Sequence, residues 1–494
     1  MRATHKNFMD AVIILEVFIF VVVASILRIE FHRFQYDDGW WYLNRSWLHW
    51  HGVLDNVSFY ALGFPLLVGF TNSIAKDLPT SGLIAQSIAL FFLLIGTYAL
   101  GRSFFGRLVG AISVIIVGLN VQTLDSVRLL SADLLFTTAV VWIIFFALLL
   151  AKEARRCWSV SLAVLLAIAP FIRFEGVFYA TVAPLALFAI YRRKCSVRLI
   201  AQHSLIIASI TSLFWLVYFA WFLSGAGEPT GTVAMRVGQN SLAWLNSVSS
   251  SLNGLDWVIL ILGISIILLR ERRFRLILLL LMMPIALNGV IMTLAAPRID
   301  SRYVFQVIPY LSILYGAVIA RMFRHRILAV AALIVLYAYF NSAFPAIVHL
   351  PDPLSYREHP QMVAIQQAVE EIENWKRANG YENTTIYTMC TDLMIVAQFD
   401  IRLPFTGLLF NSERFAPPER VLPKIAAQDA LLLVCPDTDI IVAQGLWRDL
   451  YKYWHDPLNA PPEVADMAKL PLEMVGRVRE YTFYRLKTDS NKWK

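Results

Sequence analysis

The 494 residues are 58% hydrophobic, 13% aromatic and only 16% charged, whereas a soluble domain is about 45–50% apolar and about 25% charged. A wholly water-soluble chain is excluded, because the excess lies in runs of roughly 17–25 residues, long enough to cross a bilayer as helices, that stop near Phe344. The net charge of +8 does not call for nucleic acid, since the basic residues sit in short loops between apolar runs, where they report topology.

The first run covers residues 10–29 and has no small-residue cleavage site after it, so it reads as an anchor helix. The stretch 31–60 follows, with the adjacent carboxylates Asp37 and Asp38, four tryptophans and several histidines. Adjacent acids beside a membrane are costly and ask for a reason. On a helix through this stretch, Trp40, Leu43, Trp47 and Trp50 form one stripe and Asp38, Tyr42, Arg45 and His49 the opposite face. Indole rings suit the headgroup level, which directs the carboxylates away from lipid. An interfacial helix with solvated acids and no chemistry fits the same spacing.

The next apolar run, 61–74, is only about 14 residues and begins Leu62-Gly63-Phe64-Pro65, too short to span, so it reads as a re-entrant or interfacial segment. Further spans are expected at 81–100, 108–124, 132–151, 158–172, 177–191, 199–223, 257–269, 276–296, 304–320 and 327–344, about eleven with the first. Alternating loops carry Arg102 and Arg107, Lys152 to Arg156, Arg192 to Lys194, Arg270 to Arg275, and Arg321 to Arg326. These belong in the cytoplasm with the N-terminus. The Asp37–Asp38 stretch, the other acid-bearing loops and the tail are then outside. Counting 61–74 as a full span would invert every later loop.

The fold class expected is a polytopic α-helical membrane domain over 1–345 and an extracytoplasmic α/β domain over 346–494. In the tail, 361–377 has helical periodicity with Val363, Ala364, Ala368, Ile372 and Trp375 apolar; 384–389 and 429–434 read as buried strands and 475–486 as an edge hairpin or strand. At about 150 residues it can bury its own core. Four cysteines are too few for a disulfide framework, although Cys390 and Cys435 each end an expected strand and could form one bridge.

Three more charged clusters fall at outer span ends: Asp125, Arg128 and Asp133; Arg173 and Glu175; Arg298, Asp300, Arg302 and Tyr303. Each alone fits a local ion pair or a snorkelling side chain. Together they describe a polar cavity whose carboxylates suit deprotonation of a hydroxyl and whose arginines suit a phosphate. Asp37, Asp38, His32, His49 and His51 could between them ligate a divalent metal, but their spacing matches no strong motif.

The order of these features resembles the GT-C superfamily of membrane glycosyltransferases, and within it the branch of the protein O-mannosyltransferases and the lipid A aminoarabinose transferases. The similarity covers about the first 345 residues. It rests on Asp37-Asp38-Gly-Trp-Trp-Tyr42, Gly63-Phe64-Pro65-Leu66, Gly101-Arg102-Ser-Phe-Phe-Gly106, Arg128…Asp133 and Arg302-Tyr303…Pro309. The family's double proline is a single Pro65 here, Asp38 replaces a commoner Glu, and the tail does not resemble the family's β-trefoil insertion.

The resemblance implies transfer of a sugar from a polyprenyl or dolichyl phosphate, with inversion, to a hydroxyl on a glycan, glycolipid or protein outside a bacterial inner membrane. It gives Asp37 as base with Asp38 beside it. Arg302 would hold the donor phosphate, with Arg298, Arg128 or Arg173, and Tyr42, Asp133, Glu175 and Tyr303 would line the pocket. No cofactor is required, and no Gly-rich nucleotide loop is present. A transporter or flippase of a lipid-linked saccharide and a non-enzymatic envelope assembly subunit are the alternatives; a transporter is expected to show internal repeats and mid-membrane charges, which this sequence lacks.

Overall fold

The structure, a computed structural model, describes residues 2–27, 39–50, 61–76, 78–128, 130–192, 196–225, 244–246, 248, 261, 275–295, 305–322, 360–384, 386–388, 405–407, 431–434 and 472–486. The expected spans 257–269 (apart from Ile261) and 327–344 and the expected boundary at 345/346 lie outside them. The chain divides into two compact units: Met1–Phe34, Tyr60–Ala220 and Met235–Asp352 form the first, and Gln35–Phe59, Trp221–Ala234 and Pro353–Lys494 the second.

The first unit is helical. It contains α1 (Arg2–Leu27), α3 (Gly63–Ala75), α4 (Leu78–Phe105), α5 (Arg107–Leu119), α6 (Val121–Arg128), α7 (Asp133–Glu153), α8 (Arg156–Ile172), α9 (Val182–Arg192), α10 (Val197–Gly225, its end passing into the second unit), α11 (Arg275–Ala295) and α12 (Ile308–Met322), with 3-10 turns at Phe174–Thr181 and Phe305–Val307. The second unit holds α2 (Gly39–Trp50) and the described part of the tail. Among the described residues four helical segments are long and apolar enough to cross a membrane: Thr80–Phe105, Asp133–Glu153, Phe174–Arg192 and Val197–Ala220. This is an integral membrane protein.

Hydrogen bonds between helices fix their directions. Asp10 near the start of α1 accepts from the Tyr98 hydroxyl (2.6 Å), from Arg102 Nη2 (2.6 Å), and from Arg107 Nε (3.1 Å) and Nη2 (2.9 Å), while Ser25 near its end meets Ser87 (2.7 Å). Thus α1 and α4 are antiparallel, and the chain between Leu27 and Leu78 leaves and returns at one end of the bundle. At 13 residues, α3 is about 20 Å long, short of a hydrocarbon core of about 30 Å.

Side chains on α4 and α7 pair in parallel order: Gln86 donates to the Ser131 carbonyl (3.0 Å), Thr138 to that of Ala89 (2.9 Å), Trp142 to that of Phe92 (3.1 Å) and Lys152 to that of Ser103 (3.4 Å). Ser113 of α5 donates to the Ser312 carbonyl (3.3 Å), and Gly316 lies against Ser113 and Val109, so α12 runs back along α5. Arg102, Arg107, Lys152 and Arg321 therefore share one end of the bundle, and Asp133 with the α8 C-terminus shares the other.

Two expected spans differ in detail. The run 108–124 is two helices, because Asn120 turns extended and its side-chain oxygen accepts from the Gln122 amide (3.0 Å), capping α6. The run 177–191 opens as a 3-10 turn from Phe174. There Gly176 is forced by space: a Cβ would lie 2.4 Å from the Ala169 carbonyl carbon and 2.6 Å from Pro170 N.

The described tail pairs α13 (Pro360–Ala378) with a five-stranded sheet of order β2-β1-β3-β5-β4, from β1 (Ile386–Thr388), β2 (Phe405–Gly407), β3 (Leu431–Val434), β4 (Leu472–Val478) and β5 (Tyr481–Leu486). β1 is parallel to β2 and β3; β3–β5 and β5–β4 are antiparallel. On α13 the buried stripe is Ile365, Ala368, Val369, Ile372 and Lys376, while the expected Val363 and Ala364 are exposed. Lys376 reaches the core because its Nζ donates to the Thr384 carbonyl (2.6 Å), and burial pulls its pKa down. Trp375 stacks on Phe483 (centroids 4.3 Å apart) and Tyr381 (5.6 Å). A register shift between Met474 and Gly476 brings Gly476 onto this ring.

Two outcomes follow for the tail. Gly476→Ala would put a Cβ 2.3 Å from the Trp375 ring, which Phe483 and Tyr381 hold in place, so the substitution is expected to cost about 1–3 kcal/mol, read as faster proteolysis within 472–486. Arg479, at φ +54 in the β4–β5 turn, donates to both Glu371 oxygens (2.7 and 2.8 Å), and these bonds hold the Glu371 carboxyl below its usual range. A depressed carboxyl stabilises the fold above its unfolded pKa and loses that contribution as pH falls through the lowered value. Pepsin cleavage of the hairpin should thus rise below about pH 4, and less steeply in Arg479→Ala.

Candidate active site

The described polar centre is built on a tight reversal between α8 and α9. Pro170 inside α8 cannot donate to the Leu166 carbonyl, and the Trp215 indole of α10 does so instead (3.1 Å). Arg173 then turns extended, its amide still bonded to the Ala169 carbonyl (3.0 Å) and its own carbonyl taken by the Gly176 amide (2.9 Å). Gly63 of α3 closes on the same corner, with room for no Cβ beside Ile172.

This turn aims Arg173 at two carboxylates. Its Nε and Nη2 donate to Glu175 Oε2 (3.2 Å) and Oε1 (2.7 Å) in a two-pronged pair, and its Nη1 donates to Asp133 Oδ1. Asp133 opens α7, where the helix N-terminus favours a negative charge. The Asp133 side chain is 5% exposed, those of Arg173 and Glu175 18% each. One guanidinium against two carboxylates leaves the trio at net charge −1.

Beneath it lies a buried tyrosine layer. Tyr179, edge-on to Phe136, donates to Gln306 Oε1 (3.2 Å), and Tyr218 sits edge-on to Phe171. Gln306 belongs to the 3-10 turn Phe305–Val307, the first described residues after Arg302 and Tyr303. The Tyr179–Gln306 bond therefore ties the Arg173 loop to the start of the α12 element.

The sequence-expected residues divide as follows. Arg173, Glu175 and Asp133 come together. Asp37, Asp38, Arg298, Arg302 and Tyr303 lie outside the described residues, as do His32 and His51 and the side chains of Asp125, Arg128 and His49. Tyr42 lies on α2 in the second unit, where Tyr42, Leu43, Arg45 and Ser46 are buried and Trp50 is exposed. Leu43, expected in the tryptophan stripe, is thus as buried as Tyr42 and Arg45, and the side chains of Trp40 and Trp47 lie outside the described ones. Among the described residues no group of three or more His, Cys, Asp or Glu is placed to hold a metal. Tyr179, Gln306 and Tyr310 were missed. A glutamine inside the apolar run Val304-Phe-Gln-Val-Ile-Pro was the available signal.

No protein-family model and no curated protein matches the chain in sequence. Solved structures do. ArnT from Cupriavidus metallidurans bound to undecaprenyl phosphate aligns over 98% of this chain and 99% of its own, at 12% identity and a TM-score of 0.59. The chain has the GT-C fold. The oligosaccharyltransferase AglB from Archaeoglobus fulgidus, with an inhibitory peptide and a dolichol-phosphate, aligns over 98% of this chain and 75% of its own, at 10% identity and a TM-score of 0.61. The apo form of the A. fulgidus oligosaccharyltransferase gives 97%, 75%, 12% and 0.58. Identities of this size speak for the GT-C fold alone.

Arg173→Ala is expected to leave Asp133 and Glu175 largely buried and uncompensated, at a cost of about 3–5 kcal/mol. Arg173→Met combined with Asp133→Asn and Glu175→Gln leaves no charge uncompensated and should cost less. Thermal unfolding of the detergent-purified protein compares the two.

Proposed function

We propose that this chain is a membrane glycosyltransferase that passes a sugar from a polyprenyl or dolichyl phosphate to a hydroxyl acceptor, with inversion, at the outer face of a bacterial inner membrane. What carries the reading is the gathering of Asp133, Arg173 and Glu175 at one end of a GT-C bundle, opposite the end that bears Arg102, Arg107, Lys152 and Arg321. By the positive-inside rule the basic end is cytoplasmic, which puts the acid–arginine end outside. The ArnT structure with undecaprenyl phosphate and the AglB structure with a dolichol-phosphate and a peptide support a lipid-phosphate donor and an acceptor that is a glycan, a glycolipid or a protein.

In this reading Asp37 takes the proton of the acceptor hydroxyl and Asp38 is the close second. The freed oxygen attacks the anomeric carbon, and the polyprenyl phosphate departs from the opposite face. Like charges side by side raise one carboxyl's proton affinity, which suits a base near neutral pH. Arg302, with Arg298 and Arg128, holds the developing negative charge on the phosphate. Arg173 is already engaged by two carboxylates and works chiefly as the organiser of the Asp133–Glu175 wall, with Tyr303 as a further pocket residue. The chemistry calls for no resident cofactor.

The test is turnover by the purified protein with undecaprenyl-phosphate-linked sugars and a hydroxyl acceptor. Asp37→Asn or Asp38→Asn should lower kcat by about 10²–10⁴ with folding intact, and EDTA should leave wild-type turnover unchanged. Full turnover in both variants removes these acids from the base role. Loss with EDTA, restored by a divalent cation, would reassign them, with His32, His49 or His51, to a metal.

A further inference from the structure

Two buried polar groups beside Tyr179 have no hydrogen-bond partner among the described residues. Gln306 is 2% exposed, and while its Oε1 accepts from Tyr179, its Nε2 bonds nothing there. Four residues on, Tyr310 is fully buried, its hydroxyl is likewise unanswered, and it lies close enough to Tyr179 for the two phenols to interact electrostatically. The spacing of four residues keeps both side chains on one side of the element. Buried amides and hydroxyls are nearly always satisfied, so two open ones together, next to the Arg173 cluster, call for a partner beyond the described residues.

The chemistry of the partner follows from what the groups offer. An amide N–H needs an acceptor, and a phenol can give or take one bond. Neither is charged, and a neutral donor and a phenol suit a neutral hydroxyl, whereas a phosphate is held by cations. We propose that Gln306 and Tyr310 hydrogen-bond a hydroxyl of the transferred sugar and so help to select which sugar is used. This rests on the glycosyltransferase reading. A site built to bond a hydroxyl discriminates strongly against an analogue that lacks it, because its own buried groups are then left open. A bound water would offer the same hydroxyl chemistry, and the test separates the two.

The full-length purified protein is titrated with bare undecaprenyl phosphate and with undecaprenyl phosphate carrying glucose, mannose or arabinose. Tyr310→Phe removes only the hydroxyl; Gln306→Met removes the amide, with Gln306→Met/Tyr179→Phe as the companion that leaves no phenol stranded. Wild type should bind one loaded carrier more tightly than the bare one. Each variant should weaken that carrier about fivefold to tenfold and leave the bare carrier unchanged. Because Tyr310→Phe deletes an unpaired group, its unliganded Tm should not fall. Unchanged affinity for every probe, with a fall in Tm, would assign the pair to a structural water and overturn the proposal. Equal weakening of loaded and bare carriers would overturn it too. If wild type binds no loaded carrier better than the bare one, this proposal and the glycosyltransferase reading fall together; if turnover depends on Asp37 or Asp38 but not on these variants, only this proposal falls.

Discussion

A largely buried guanidinium is tolerable only when its donors are filled, and Arg173 meets two carboxylates that reach it by different routes. Glu175 comes from two residues away, around a turn that only Gly176 can close against Ala169 and Pro170. Asp133 comes from 40 residues away, at the start of α7. The pairing pins the α8–α9 corner to the N-terminus of α7, and α3 closes on that corner through Gly63. Loosen the turn and the only described carboxylates at this end of the bundle lose their common partner.

The opposite end is organised by the mirror arrangement, one carboxylate under two arginines. Asp10 gathers Tyr98, Arg102 and Arg107, and so sets α1 against the α4–α5 turn. That turn is tight: Gly106 takes φ +104, and a Cβ on Gly110 would lie 2.8 Å from the Tyr98 carbonyl oxygen. Among the described residues the Asp10 cluster is thus rich in arginine and the Arg173 cluster rich in carboxylate, a polarity along the axis. Such a polarity suits a bilayer whose cytoplasmic side prefers basic loops.

Much of this was legible in the residues. Run lengths located α4, α7, α8, α10 and α11 to within a few positions, since twenty apolar residues in a row have few other uses. Alternation of basic and acidic loops anticipated which loops share an end. Local chemistry that overrides hydropathy was harder to read: Asn120 splits an apolar run because its side chain caps a helix, and the 3-10 turn from Phe174 needs Gly176 because of backbone that it meets only in the fold. On α13 the expected Ala368 and Ile372 are buried, Val363 and Ala364 are not, and Lys376, charged in sequence, is admitted to the core by a carbonyl eight residues away.

By itself the sequence determined the class of the molecule, because hydropathy over a helix length is a local property and the bilayer enforces it. It also determined that charge concentrates at span ends, since interior charge is costly. Only the tertiary structure decided which charges meet: that Arg173 is claimed by Asp133 and Glu175, that Asp10 is the partner of Arg102 and Arg107, and that Gln306 lies under Tyr179. Those pairings join residues 88 to 127 positions apart in the cases of Asp10 and Tyr179. Spacing along a chain says nothing at that range, because which side chains touch is set by how the helices cross and not by any one helix's own pattern.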